Sequence, residues 1–246
     1  MTVGGAKIEF QTPRDEASRT IVLERKDGRW ASQAGLDPRT LAGKRPGLQG
    51  PIDDAFATRF LCVRGTGQAW NPAVGAWADA SLKRFAWEWR RHYRGDLPIK
   101  DDRDVTPDDV RRSNLILFGD PGSNSWIREI LPKLPVQWTR AEIQVGQAQH
   151  RATDTGLQLI SPNPLPGAEG RYVVFNSGHT YHDPELRLSY MVFPRVGDWA
   201  VLKVGETPSG TPIPTVAETV LQSGFFDEGW RNPTSSSEVA EGRIKD

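Results

Sequence analysis

Four short runs of consecutive apolar residues, each ending in a turn, constrain this chain most. FLCV (60–63) runs into Arg64-Gly65-Thr66-Gly67. LILF (115–118) runs into Gly119-Asp120-Pro121-Gly122-Ser123-Asn124, after which a helical pattern begins at Trp126. LQLI (157–160) runs into Ser161-Pro162-Asn163-Pro164, and YVVF (172–175) into Asn176-Ser177-Gly178-His179. A strand with one wet face alternates apolar and polar residues; an unbroken apolar run belongs to a strand covered on both faces.

Helical patterns separate the first runs. Over Trp77 to Arg94, residues Ala78, Leu82, Phe85, Ala86, Trp89 and Tyr93 fall on one face of a 3.6-residue period. Lys83, Arg84, Arg90, Arg91 and Arg94 fall opposite, as a solvated charged face, and Gly95 supplies a stop. Thr106-Pro107-Asp108-Asp109 reads as a helix start, with a Thr cap, proline at the first position and acids against the dipole. The helix at 126–131 is stopped by Pro132 and Pro135. Buried strands alternating with helices predict an α/β fold: an αβα-layered domain over 51–230 with a mostly parallel, Rossmann-like sheet.

Other segments fit around that domain. AKIEF (6–10) and IVLERKDGRW (21–30) alternate, with Lys26-Asp27-Gly28 as a turn. Two or three strands cannot stand alone, so residues 1–35 read as the β-strand remnant of a preceding β-sandwich-like domain. Residues 36–50, rich in Gly, Pro and charge, read as a linker. VQWTR (136–140) and EIQVG (142–146) suggest a small hairpin excursion. LRLSYMV (186–192) suggests an edge strand, WAVLKV (199–204) a further strand and VAETVLQSGFF (216–226) a last one. The polar tail 231–246 is expected to be disordered.

Composition narrows function. The 31 basic and 31 acidic residues of this 246-residue chain cancel, so no global field draws in nucleic acid or an anionic membrane. No apolar run is long enough to span a bilayer, and MTVGGAKIEF has no signal-peptide pattern. The single cysteine, Cys62, excludes an internal disulfide framework and a cysteine-based zinc site, and it sits in an apolar run as a small hydrophobe.

In open parallel sheets, ligands bind beyond the carboxyl ends of the strands. If the four runs are parallel neighbours, Arg64, Asp120, Ser123, Asn124, Asn163, Ser177 and His179 share one rim, the candidate ligand site. Strand-to-helix turns need Gly, Pro, Asn and Ser for backbone reasons alone, and Ser123 or Asn124 would cap the next helix with or without a ligand. Specific motifs fail. From Gly119 the Walker lysine position holds a serine, Ser125. Gly65-Thr66-Gly67 lacks the third glycine of a dinucleotide fingerprint, and no Gly-x-Ser-x-Gly elbow occurs. Ser177 and His179 are too close along an extended chain to act as nucleophile and base, which leaves a cross-strand Ser123–His179–Asp120 relay as the remaining triad. His179-Thr180-Tyr181-His182-Asp183 could offer metal ligands, but without HExxH or a second cluster, polar loop histidines are the simpler account. No cofactor is implied.

Several stretches together resemble the C-terminal portion of large bacterial α/β-hydrolase-like proteins, the prolyl-oligopeptidase-type serine peptidases or esterases. They are GLQGPIDDAF (47–56), NPAVGAWADASLKR (71–84), NLILFGDPGSN (114–124), PNPLPGAEGRYVVFNSGHT (162–180), DWAVLKV (198–204) and SGFFDEGWR (223–231). In such proteins the nucleophile serine and catalytic histidine lie in an upstream domain, and no residue of this chain matches those motifs. The resemblance therefore implies a non-catalytic accessory domain, a fragment or split gene product that packs against the catalytic domain or presents substrate to it. Its partner would be an upstream hydrolase domain or separate catalytic chain, periplasmic or secreted if the parent carries a signal peptide. A weaker similarity links ILFGDPGSNSWI to a strand–GxPxxN–helix unit in accessory domains of some sugar-processing enzymes. Two alternatives stay open: a binding module for a small polar or carbohydrate ligand, and an independent hydrolase using His179.

Overall fold

The computed structural model of the chain describes residues 2–3, 6–7, 22–33, 43–179, 196–205, 216 and 218–232. The expected linker residues 36–42, the expected strand at 186–192, residues 180–183 of the histidine-rich segment and residues 233–246 of the tail lie outside them.

Two small antiparallel ribbons come first: β1 (Thr2–Val3) with β2 (Ala6–Lys7), and β3 (Val22–Lys26) with β4 (Arg29–Gln33). The second closes on Asp27-Gly28, both at positive φ, as the turn residues predict. Seven further strands build the main sheet: β5 (Phe60–Arg64), β6 (Ile99–Asp101), β7 (Asn114–Phe118), β11 (Thr155–Pro162), β12 (Tyr172–Phe175), β13 (Trp199–Val204) and β14 (Glu218–Gly224). Their order is β14-β13-β11-β12-β7-β5-β6. Between β7 and β11, strands β8 (Val136–Trp138), β9 (Glu142–Val145) and β10 (Ala148–Arg151) form a separate three-stranded antiparallel sheet, the excursion expected there.

The expected αβα-layered, mostly parallel Rossmann-like fold is not what forms. β12, β7, β5 and β6 pair in parallel, whereas β11, β13 and β14 join antiparallel, so the sheet is mixed. Among the described residues strand exceeds helix, and they contain three α-helices: α1 (Pro72–Tyr93), α2 (Pro107–Arg112) and α3 (Ser125–Ile130). Two of these have six residues, too few to layer both faces. The unbroken apolar runs misled because β11 lies in the sheet's interior, flanked by β12 and β13. Seven of its eight residues are buried, and burial on both faces erases alternation in an antiparallel strand as it does in a parallel one. The loop length was informative: residues 163–171 are too short for a parallel crossover and long enough for a hairpin.

Helix α1 covers the sheet's centre. Val74, Trp77, Ala78, Leu82 and Phe85 are buried along one stripe. Trp77 is fully buried against Gly156 of β11, where a Cβ would lie 2.4 Å from the indole, and its Nε1 donates to Glu218 of β14 at 2.7 Å. Arg94 closes the helix in the left-handed conformation. Arg84, expected on the solvated face, is instead buried and paired with buried Glu88 one turn on. Helix α2 begins with a capping box between Thr106 and Asp109.

Residues 43–56 pack onto this body. Leu48 and Ile52 are buried, and Lys44 Nζ donates to the fully buried Asp198 carboxylate (2.6 Å) and to Phe226 O (3.1 Å). Asp198 Oδ1 occupies the place a side chain would take at Gly50, whose φ is +73°. At the far edge, the register of β13 with β14 shifts between Val201 and Leu202, so Leu221 has no Cα partner on β13. That bulge interrupts the ladder between the two strands.

Candidate functional site

The parallel part of the sheet sets the site. Arg64 pairs with Phe118 and Leu117 with Phe175, so the carboxyl ends of β5, β7 and β12 share one edge. β6 lies on one side of β5 and β7 on the other, so the winding direction changes between β5 and β7, a topological switch point.

The loops leaving β5 and β7 are laced together at this point. Gly65 N donates to Phe118 O (3.0 Å) and Gly67 N to Ser123 O (2.8 Å). A Cβ at Gly65 would sit 2.6 Å from Ser123 O, so glycine there serves loop contact. Asp120 is the hub. Its carboxylate accepts from Trp70 N (2.6 Å), Gly122 N (3.0 Å), Ser123 N (2.9 Å) and Ser123 Oγ (3.0 Å). Ser123 Oγ in turn accepts from Asp120 N at 2.9 Å. Asn124 is fully buried. Its Oδ1 caps α3 through Trp126 N (3.1 Å) and Ile127 N (3.3 Å), while Nδ2 donates to Val63 O (3.2 Å) and Phe118 O (3.0 Å). These three rim residues are together as expected, and their hydrogen bonds knit the loops.

The other expected rim residues divide. Arg64 is at the edge, half-exposed, with Nε (2.9 Å) and Nη2 (2.6 Å) on Asp101 of the neighbouring strand. Ser177 follows β12 at the same edge, buried, its Oγ donating to Gly178 O (2.9 Å). Asn163 is not there. Because β11 runs antiparallel, Asn163 sits beside Arg171 at the opposite edge, where its Oδ1 accepts from Leu165 N (3.1 Å). His179 is held near α1: its ring stacks on Phe56 at 4.7 Å and meets Phe85 edge-on at 5.6 Å, and Nδ1 lies 3.9 Å from Asp53. Burial lowers its pKa, partly opposed by Asp53 and Glu88. A Ser123–His179–Asp120 relay is not assembled: Ser123 and Asp120 bond to each other, and the carboxylate facing His179 belongs to Asp53.

Two further residues hold this edge: Asp102, which the sequence did not single out, and Asn176, the first residue of the turn after YVVF. Asp102 bridges the loops, accepting from Thr66 N (3.2 Å) and Oγ1 (2.7 Å) with one oxygen and from Ser125 N and Oγ (both 2.9 Å) with the other. Burial would raise its carboxyl; the hydrogen bonds from Ser125 and Thr66 outweigh that and hold it below the ordinary range. Asn176, at φ +49°, accepts from Gly119 N (2.7 Å) and donates to Gly119 O (2.8 Å) and Leu157 O (3.2 Å). The left-handed turn after YVVF was its only local signal. Asp102 had none, since its partners are 23 and 36 residues away.

Between these loops and the first three turns of α1 lies a cleft of about 240 Å³. Arg64 and Asp79 are its charged lining groups, and Ala78, Leu82 and Phe118 are apolar lining groups. Among the described residues, no group of three or more His, Cys, Asp or Glu side chains is placed to hold a metal ion, and no helix is long and apolar enough to cross a membrane. Cys62 is buried in β5, its thiol pKa raised by that burial. No family model, no curated protein and no solved structure matches this chain.

Proposed function

We propose that this chain is a non-catalytic accessory domain of a prolyl-oligopeptidase-like or esterase-like serine hydrolase, packing against the catalytic domain or presenting substrate to it. The observation that carries the non-catalytic half is the commitment of the strand-tip polar groups to structure. Asp120 holds four donors, Ser123 Oγ bonds to Asp120, and Asn124 bonds two amides and two carbonyls. A nucleophile needs a base within hydrogen-bond reach, and Ser123 has a carboxylate already saturated by amides. The hydrolase half rests on the resembling stretches, and these meet in space. The Asp198 carboxylate, from one of them, accepts from Phe226 N (3.0 Å) of a second and lies against Gly50 of a third, and Tyr172 from a fourth accepts the Gly50 N–H (3.1 Å).

An active-site-directed fluorophosphonate tests the first half. The purified chain should remain unlabelled; labelling abolished by Ser123→Ala or His179→Ala would overturn it. Sequencing the neighbouring gene tests the second: a hydrolase there should co-purify with this chain, and an unrelated gene would remove that support. One observation, the switch-point cleft, favours a second reading: a binding module for a small polar or carbohydrate ligand.

A further inference from the structure

We infer that the switch-point cleft binds one ring of a neutral, polyhydroxylated ligand, a single sugar residue. This deepens the small-ligand reading of the cleft and is independent of the hydrolase assignment.

Size comes first. A volume of about 240 Å³ holds on the order of eight water molecules. That is the scale of one ring and too little for a dinucleotide. Charge comes next. The cationic group in the lining, Arg64, is neutralised by Asp101 at 2.6 Å, and the anionic one, Asp79, by Lys83 at 2.6 Å. Both retain unused hydrogen-bonding capacity: Arg64 has donors beyond the two N–H groups that face Asp101, and Asp79 has a second carboxylate oxygen. The lining therefore offers a donor and an acceptor without net charge. That favours hydroxyl groups, which do both, over an anion or a cation.

The apolar lining completes the match. Ala78, Leu82 and Phe118, each nearly buried, form a small carbon floor on which the C–H edge of a sugar ring can rest while its hydroxyls turn to Arg64 and Asp79. The loops are fixed before anything binds, by Asp120 within the β7 loop and by Asp102 between Thr66 and Ser125. Binding then orders little chain, which matters for a ligand with few atoms.

Amide chemical-shift titration of the intact chain with glucose, galactose, mannose and N-acetylglucosamine, beside inorganic phosphate and acetate, tests this. At least one neutral sugar should shift residues 64–67, 75–82 and 118–123, with about millimolar affinity. Asp79→Ala and Arg64→Met, both at exposed side chains, should each weaken it about tenfold. Lys203→Ala, also exposed, should leave it unchanged, and all three variants should melt close to the parent. No shift from any sugar, binding by the two cleft variants as tight as the parent's, or phosphate or acetate binding there in place of sugars would overturn the inference. Each of these failures would leave the fluorophosphonate result untouched, so the two readings fall separately.

Discussion

Asp120 shows how one side chain can hold a functional edge without acting in chemistry. Its carboxylate satisfies the amides of Trp70, Gly122 and Ser123 at 2.6 to 3.0 Å. Asp120→Ala strands these donors in a buried loop and should cost about 3 kcal/mol or more, read as a lower urea midpoint with unchanged slope. Asn124→Ala removes the α3 cap and the donor to two strand carbonyls, and should cost about 2 kcal/mol. A melting temperature unchanged by Asn124→Ala would show that the loop is not built as described. Asp109 supplies the pH dependence. Burial pushes its carboxyl up, but Lys100 and the Thr106 cap outweigh that and bring the pKa to about 2. A carboxyl depressed in the folded state stabilises above its unfolded pKa, near 4, and loses that contribution as the pH falls through 2. Asp109→Asn should therefore flatten stability against pH between about pH 4 and pH 2, measured by denaturation at each pH.

At the scale of elements, the contact between α1 and β11 carries the centre of the fold. Trp77 is fully buried over Gly156, and a Cβ there would approach its ring to 2.4 Å. Gly156→Ala must displace the indole and its bond to Glu218, and should cost about 1–3 kcal/mol; an unchanged thermal midpoint would contradict the packing. Much of the element content was legible. FLCV, LILF, LQLI, YVVF and WAVLKV all form strands, and the Thr106 start of α2 and the Asn124 cap of α3 stand where their residue types put them. These signals are local, because capping and turn chemistry act within a few residues. Helix α1 starts at Pro72, five residues before Trp77, where the pattern placed it, since proline at a first turn adds no periodicity. Arg84 was misplaced because a charge reads as exposed until its buried partner, Glu88, is known.

For the whole molecule, the parallel and antiparallel halves share one sheet and one core, and residues 43–56 are tied to it. The tie is the Lys44–Asp198 pair, with Asp198 fully buried. Burial raises the Asp198 carboxyl, opposed by the bonds from Lys44 and Phe226 N. Lys44→Met leaves that carboxylate with one partner fewer and should cost about 3 kcal/mol; Asp198→Asn in the same chain should recover part of the loss. Calorimetry should show one cooperative transition for the sheet domain, and two resolved transitions would mean that its halves fold separately.

By itself the sequence determined what sits where along the chain: which runs are strands, which residues cap α2 and α3, which residues turn, and that charge is balanced. Direction was hardly legible. An apolar run has the same composition whichever way it points, and only the short 163–171 connection hinted that β11 opposes β12; the tertiary structure decided it for that pair and for the rest of the sheet. That decision removed Asn163 from the rim, left Arg64, Asp120, Ser123 and Asn124 together, and opened the cleft beside them. Pairing direction is set by which distant segments bury each other's faces, and that energy belongs to no single stretch of residues.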